Sequence, residues 1–188
     1  MISLIKINQE AFTLYRDQIL AIEKASFPSP WTARAFLEET RNPVSHLWAL
    51  KKEEKILGYI CFWMFAGEIH LLNIAVHPQR RRQGLGTLLL EKMQGFATAH
   101  GAEKIYLEVR PSNEAARRFY LKAGFQEKGR RRRYYTDTGE DAIIMALDLD
   151  TRSRDPFERS HSPPTNIPPS GRTDGLRICR KAVDLELR

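Results

Sequence analysis

Three arginines in a row, Arg80, Arg81 and Arg82, lead through Gln83 into Gly84-Leu85-Gly86-Thr87. Glycines let backbone N–H groups crowd a ligand, a helix starting there adds the positive end of its dipole, and the arginines add charge. Together they describe a cradle for an anion, and a diphosphate would suit it. Two familiar nucleotide loops are excluded. A dinucleotide fingerprint requires glycine where Leu89 stands, and no Gly-Lys-Ser/Thr follows as a P-loop requires. The same residues equally describe a flexible basic turn with no ligand.

A second constellation lies in Leu107-Glu108-Val109-Arg110-Pro111-Ser112-Asn113 and the residues up to Tyr120. Glu108 falls near the end of an apolar strand, where partial burial would raise its pKa and let it accept a proton. Asn113 and Tyr120 are seven apart, so a helix places them on one face, two turns from each other. A carboxylate, an amide and a phenol would then line one cleft. Taken singly, a solvated strand-end charge, a helix cap and a core aromatic are the simpler accounts. His46, His70, His77, His100 and His161 form no His-Glu-x-x-His or Cys/His cluster, so no metal is expected.

The elements that must carry these groups follow from apolar periodicity. Residues 2–7 read as a strand, and Asn8 caps a helix on which Phe12, Tyr15, Ile19 and Ile22 recur at helical spacing. Phe27-Pro28-Ser29-Pro30-Trp31 breaks it, and Thr32 caps a second helix that ends before Asn42-Pro43. Strands are predicted at 45–50, 56–65 and 69–76, joined by a polar turn at 51–55 and by Ala66-Gly67-Glu68 as antiparallel hairpins. A helix follows from the glycine segment to Gly101, then a strand at 105–109 and a helix from the Asn113 cap to Ala123. Two closing strands, from Phe125 and over 141–149, flank a basic loop at 130–135. The order β-α-α-β-β-β-α-β-α-β-β predicts an α/β (α+β) fold, a mixed and mostly antiparallel sheet covered by helices.

Composition bounds the rest. A chain of 188 residues, 42% apolar and 28% charged with mean hydropathy −0.45, has the composition of one soluble globular domain. Thirty Lys and Arg against 23 Asp and Glu favour an anionic partner without naming it. After Asp150 the composition shifts to Pro, Ser, Thr and Arg, so a folded domain is expected over 1–149 and a mostly unstructured tail over 150–188. Cys61 and Cys179 lie far apart with no framework spacing, which fits a reducing cytoplasm. The N-terminus does not read as a secretory signal, and the apolar stretch at 56–67 is too short to cross a bilayer as a helix, so no membrane partner is expected.

The motifs Asn73-Ile74-Ala75-Val76-His77-Pro78, Arg81-Arg82-Gln83-Gly84-Leu85-Gly86, Leu107-Glu108-Val109-Arg110-x-x-Asn113 and Phe119-Tyr120-x-x-x-Gly124-Phe125 agree in order and spacing with one family. The chain resembles the GNAT acetyltransferase superfamily. Within it, Phe27-Pro28-x-Pro30-Trp31 and the Arg-rich loop ending Tyr134-Tyr135 resemble the bacterial ribosomal-protein-alanine N-acetyltransferases. The resemblance spans residues 1–149 and implies the GNAT acyltransferase fold and acetyl-CoA as donor. It implies that Ile74, Ala75 and Val76 offer backbone groups to the pantetheine arm. Arg82, Gln83, Gly84, Leu85, Gly86 and Thr87 would cradle the pyrophosphate, with Arg81 opening that loop and Asn113 contacting the cofactor. Glu108 matches the family's general base and Tyr120 its general acid. Residues 27–31 and 130–135 would wall the acceptor groove. The tail after Asp150 departs from the family.

The implied reaction is direct attack of an amine on the thioester without a covalent enzyme intermediate. With pKa values of about 7.7–8.0 and about 10.4, roughly a tenth of an α-amine but well under a thousandth of a lysine is neutral at pH 7, which favours a protein N-terminus as acceptor. By resemblance the partner is the N-terminal alanine of a small-subunit ribosomal protein. The arginines at 130–133 could steer the chain toward rRNA or repel a basic N-terminus, so charge does not select the substrate and no specific nucleic acid is predicted. Two other readings stand beside this one: a GNAT acetylating a small amine such as a polyamine or an antibiotic, and a basic RNA- or ribosome-binding module.

Overall fold

A computed structural model describes residues 1–149; the predicted tail at 150–188, with Cys179 and His161, lies outside the described residues. The elements are β1 (Ile2–Lys6), α1 (Gln9–Ser26), α2 (Ala33–Arg41), β2 (Ser45–Lys52), β3 (Lys55–Phe65), β4 (Glu68–Val76), a 3-10 turn (Pro78–Arg80), α3 (Leu85–Ala99), β5 (Lys104–Val109), α4 (Glu114–Lys122), β6 (Gln126–Arg131) and β7 (Ala142–Asp148). Each helix start follows from a local hydrogen bond or a glycine. Asn8 accepts from the Ala11 N–H, Thr32 from Ala35 and Asn113 from Ala116, whereas Gly84 begins α3 in the left-handed region at φ 77°.

The seven strands form one sheet in the order β1-β2-β3-β4-β5-β7-β6. All neighbours are antiparallel except β4 and β5. Two corrections to the predicted boundaries concern turns. Lys51, Lys52 and Lys55 belong to the β2–β3 ladder, so that turn contracts to Glu53 and Glu54. Arg130 and Arg131 pair with Ile143 and Ala142, so the basic segment starts as strand and only then becomes loop. Charge does not oppose strand formation there, because every β6 side chain is exposed and an edge strand tolerates cations. The β3–β4 link is a two-residue turn with φ 52° at Ala66 and φ 76° at Gly67, the conformation that matches strand twist.

Strand alternation divides the core. On one face Ile60, Phe62, Leu71, Ile74, Val76, Ile105, Leu107, Val109 and Met145 pack under Leu85, Leu89, Leu90 and Met93 of α3 and Ala116 and Tyr120 of α4. On the other, Leu47, Tyr59, Cys61, Trp63, Leu72 and Ala75 pack under Phe12, Tyr15, Ile19 and Ile22 of α1 and Phe36 of α2. In β4 the alternation is broken by a bulge. Cys61 pairs with Asn73 and Phe62 with Leu71, which leaves Leu72 as the extra residue of a bulge. Leu72 packs on the α1 side and Asn73 bonds Glu23 of α1, so consecutive side chains face the same way before Ile74 returns to the α3 side.

Gly58 makes the close approach that holds this end of β4. It pairs with Val76, and a Cβ there would lie 2.7 Å from the Ala75 carbonyl oxygen and 3.2 Å from Val76 Cα. Both are backbone atoms and cannot rotate away. Gly58→Ala is therefore expected to destabilise the fold by about 1–3 kcal/mol, the usual cost of overpacking. Urea unfolding measures it; a variant within about 0.3 kcal/mol of the parent would show that β3 can shift freely.

Candidate active site

The parallel pairing of β4 and β5 runs from Glu68↔Lys104 to Leu71↔Leu107 and stops. Beyond it β4 continues to Val76 along β3, and β5 continues to Val109 along β7. The two strands separate where the bulge turns β4, leaving the β5-facing backbone edge of Ile74, Ala75 and Val76 without a ladder partner. Glu108 is the first residue of β5 past the last pair. Ile105, Leu107 and Val109 face α3, so the period of two puts Tyr106, Glu108 and Arg110 on the α1 side.

Glu108 is mostly buried, with 20% of its side chain exposed, and Arg131 Nε lies 3.4 Å from its Oε1. Burial raises its pKa above the ordinary carboxylate value, while the positive charge of Arg131 and the His70 ring partly oppose the rise. His70 stacks between Phe65 and Tyr106 at 5.0 and 5.6 Å and meets Glu68 Oε2 at 3.2 Å. A carboxylate whose proton affinity is raised by burial thus stands at the fork. Tyr120 occupies the opposite, α3–α4 side of the sheet, fully buried between Phe119 and Phe125. The two side chains lie on opposite faces of the sheet.

The glycine segment splits into two roles. Arg81 points back into the fold: its Nε donates to the Val76 carbonyl at 3.3 Å and its Nη2 to Ser26 Oγ at 3.0 Å and the Ala25 carbonyl at 3.4 Å. It staples the loop to α1 and to the end of β4. Arg80, Arg82, Gln83, Gly84 and Thr87 are exposed, and Arg82 adopts φ 60°. Within α3 the first helical bond runs from the Leu88 N–H to the Gly84 carbonyl, and no side chain caps the start. The amides of Leu85, Gly86 and Thr87 precede that bond, as an anion cradle needs. Gly86 is buried and faces the Phe119 ring and Val76. A glycine-led helix start, exposed arginines and an unpaired strand edge suit the diphosphate and amide-bearing arm of a coenzyme A thioester. Asn113 Oδ1 is committed to the α4 cap at 3.0 Å from the Ala116 N–H. Among the described residues no group of three or more His, Cys, Asp or Glu could hold a metal ion.

Two residues at the site had no role assigned from sequence. Arg110, two residues after Glu108 on the same face, is buried. It binds both carboxylate oxygens of Asp137 at 2.8 and 2.9 Å, Thr138 Oγ1 at 2.8 Å and Glu140 at 3.4 Å, and lies 3.7 Å over the Tyr135 ring. The period-two spacing from Glu108 was the available signal. Glu23 is buried on α1 and accepts from the Trp31 N–H, the Tyr59 hydroxyl and, at 3.2 Å, Asn73 Nδ2.

A seven-stranded sheet parted between its fourth and fifth strands, with a glycine-led helix at the opening, defines an acyltransferase class. Residues 16–125 match the family described as Acetyltransferase (GNAT) family, and the chain belongs to that family. Its relatives narrow the comparison. An Escherichia coli [ribosomal protein bS18]-alanine N-acetyltransferase is 38% identical over 130 residues, covering 68% of this chain and 87% of that protein. A Bacillus subtilis protein provisionally given the same name is 39% identical over 130 residues, covering 69% and 86%. The crystal structure of the ribosomal-protein-S18-alanine N-acetyltransferase from Escherichia coli superposes with TM-score 0.70 at 33% identity over 79% of this chain and 94% of that one. Members of this family use acetyl-CoA. No helix among the described residues is long and apolar enough to cross a membrane.

Proposed function

We propose that this chain transfers the acetyl group of acetyl-CoA to the α-amine of a protein N-terminus, with an alanine-starting ribosomal protein as substrate. The observation that carries this reading is the fork itself: a partly buried carboxylate, Glu108, at the point where β4 and β5 part. Identity of 38% to a relative named for that reaction supports the choice of acceptor. Ile74, Ala75 and Val76 would hold the donor's arm along the backbone edge that has no strand partner, and Arg82, Gln83, Gly84, Leu85, Gly86 and Thr87 its pyrophosphate. Arg81 would act indirectly, by fixing the loop, and Asn113 by starting α4 beside the donor. Glu108 would remove the ammonium proton from the α1 side, directly or through water, and Tyr120 would return a proton to the leaving thiolate from the α4 side.

The test incubates the protein with labelled acetyl-CoA and three acceptors: an Ala-starting peptide, the same peptide blocked at its N-terminus, and spermidine. Mass spectrometry is expected to find one added acetyl on the free peptide alone. Acetylation of spermidine alone would replace the peptide by a small amine. Failure of acetyl-CoA to shift the melting temperature, together with tight RNA binding, would replace the enzyme by a binding module.

A further inference from the structure

The side of the sheet that carries Glu108 is closed by two hydrogen-bonded arms that meet. From β4, Asn73 Nδ2 donates to Glu23, and Glu23 also accepts the N–H of Trp31, which fixes the α1–α2 loop at 27–32. From β5, Arg110 holds Asp137 by two hydrogen bonds and stacks on Tyr135, which fixes the β6–β7 loop at 132–141. The arms join where Ser29 Oγ donates to Asp137 Oδ2 at 2.5 Å. The result is a hoop, β4–Asn73–Glu23–Trp31–Ser29–Asp137–Arg110–β5, whose ends are the two strands that part beside Glu108.

We infer that Ser29 and Asp137 form a latch, anchored by Arg110, that preforms the acceptor groove, making these three positioning residues for acceptor binding. The inference rests on the acetyltransferase reading for its kinetic consequence. The hoop's other joints are buried or charge-assisted: Glu23 is 1% exposed and Arg110 6%. The Ser29–Asp137 bond is the exposed joint, and it links the two loops. Asp137 remains a charged acceptor throughout the working range, because the Ser29 and Arg110 hydrogen bonds bring its pKa down to about 2. A groove fixed before the acceptor arrives has less loop ordering left to perform on binding. Opening the latch therefore weakens acceptor binding and leaves the donor side, across the sheet, untouched.

The experiment compares the parent with Ser29→Ala, Asp137→Ala and the double variant in the full chain. The KM for the Ala-starting peptide is expected to rise three- to tenfold in each single variant, with kcat within twofold and the KM for acetyl-CoA unchanged. The double variant is expected to be no worse than Asp137→Ala, since the two residues act through one bond. Hydrogen exchange gives a readout that does not depend on the acceptor's identity. Ser29→Ala, which sits in the α1–α2 loop, is expected to speed exchange in the distant loop at 134–140 at least fivefold, including the Gly139 N–H held by the Tyr135 carbonyl. Exchange changed only around 27–32, independent effects of the two substitutions, or an unchanged or lowered peptide KM would each overturn the latch. If the parent acetylates no peptide while the exchange at 134–140 responds, the latch stands and the acceptor assignment falls.

Discussion

Glu108→Gln is expected to lower kcat for an Ala-starting peptide by about a hundredfold while leaving acetyl-CoA affinity unchanged. General base catalysis contributes about 10²–10⁴-fold, and the low end applies here because roughly a tenth of an α-amine is already neutral at pH 7. Glutamine keeps the side chain's shape at the fork, so the donor cradle on the other side of the sheet has no reason to change. The pH profile carries the sharper test. A base must be deprotonated to act, so kcat/KM falls as pH drops through the Glu108 pKa. Burial places that acid limb above the ordinary carboxylate range, and Arg131 at 3.4 Å restrains it. Arg131→Gln removes the opposing charge and is expected to shift the limb to higher pH, whereas Glu108→Gln abolishes it. A Glu108→Gln enzyme with parental turnover across pH 6–9 would remove this carboxylate from the reaction.

The fold was largely legible because its elements announce themselves through caps and spacing. Asn8, Thr32 and Asn113 all cap the helices expected of them, and the apolar runs at 45–50, 56–65 and 69–76 fall inside β2, β3 and β4. The bulge at Leu72 was not legible. A run of apolar residues such as Leu71-Leu72 gives no period from which to count, and only the pairing of Asn73 with Cys61 fixes the slip. The insertion of β7 between β5 and β6 was equally hidden, because strand order depends on long-range pairing. Arg81 shows the limit for single residues. Its place in a basic glycine loop suggested a ligand contact, and no local pattern indicated that its guanidinium also reaches Ser26 of α1, distant in sequence. Glu108 was legible as a strand-end carboxylate, but its partner Arg131 comes from a strand that starts 18 residues later, a neighbour that no local pattern supplies.

Glu23→Ala is expected to be the most destabilising single change at the site, costing about 4 kcal/mol or more. The carboxylate serves three buried or nearly buried donors: the Trp31 N–H, the Tyr59 hydroxyl and Asn73 Nδ2. Each donor stranded without a partner costs about 1–3 kcal/mol, and the lost side chain adds a cavity at a position only 1% exposed. Water cannot readily make up the loss, since Tyr59 is fully buried and Asn73 1% exposed. Tyr59→Phe is the graded control. It removes one donor and leaves Glu23 bonded to Trp31 and Asn73, so its cost is expected at about 1–2 kcal/mol. Tyr59 remains the protonated donor at neutral pH, because burial first and the Glu23 charge second drive its pKa well up. The order of effects distinguishes a hub from an ordinary buried polar group: urea unfolding should place Glu23→Ala well below Tyr59→Phe. Equal losses would mean that the Tyr59 bond carries the whole network, and a Glu23→Ala loss under about 1 kcal/mol would mean that β4 and the α1–α2 loop are held without it. Because Asn73 directly precedes Ile74 on the free edge of β4, a weakened Glu23 hub would also loosen the strand to which the acetyl donor is assigned, so the KM for acetyl-CoA should rise in Glu23→Ala but not in the latch variants.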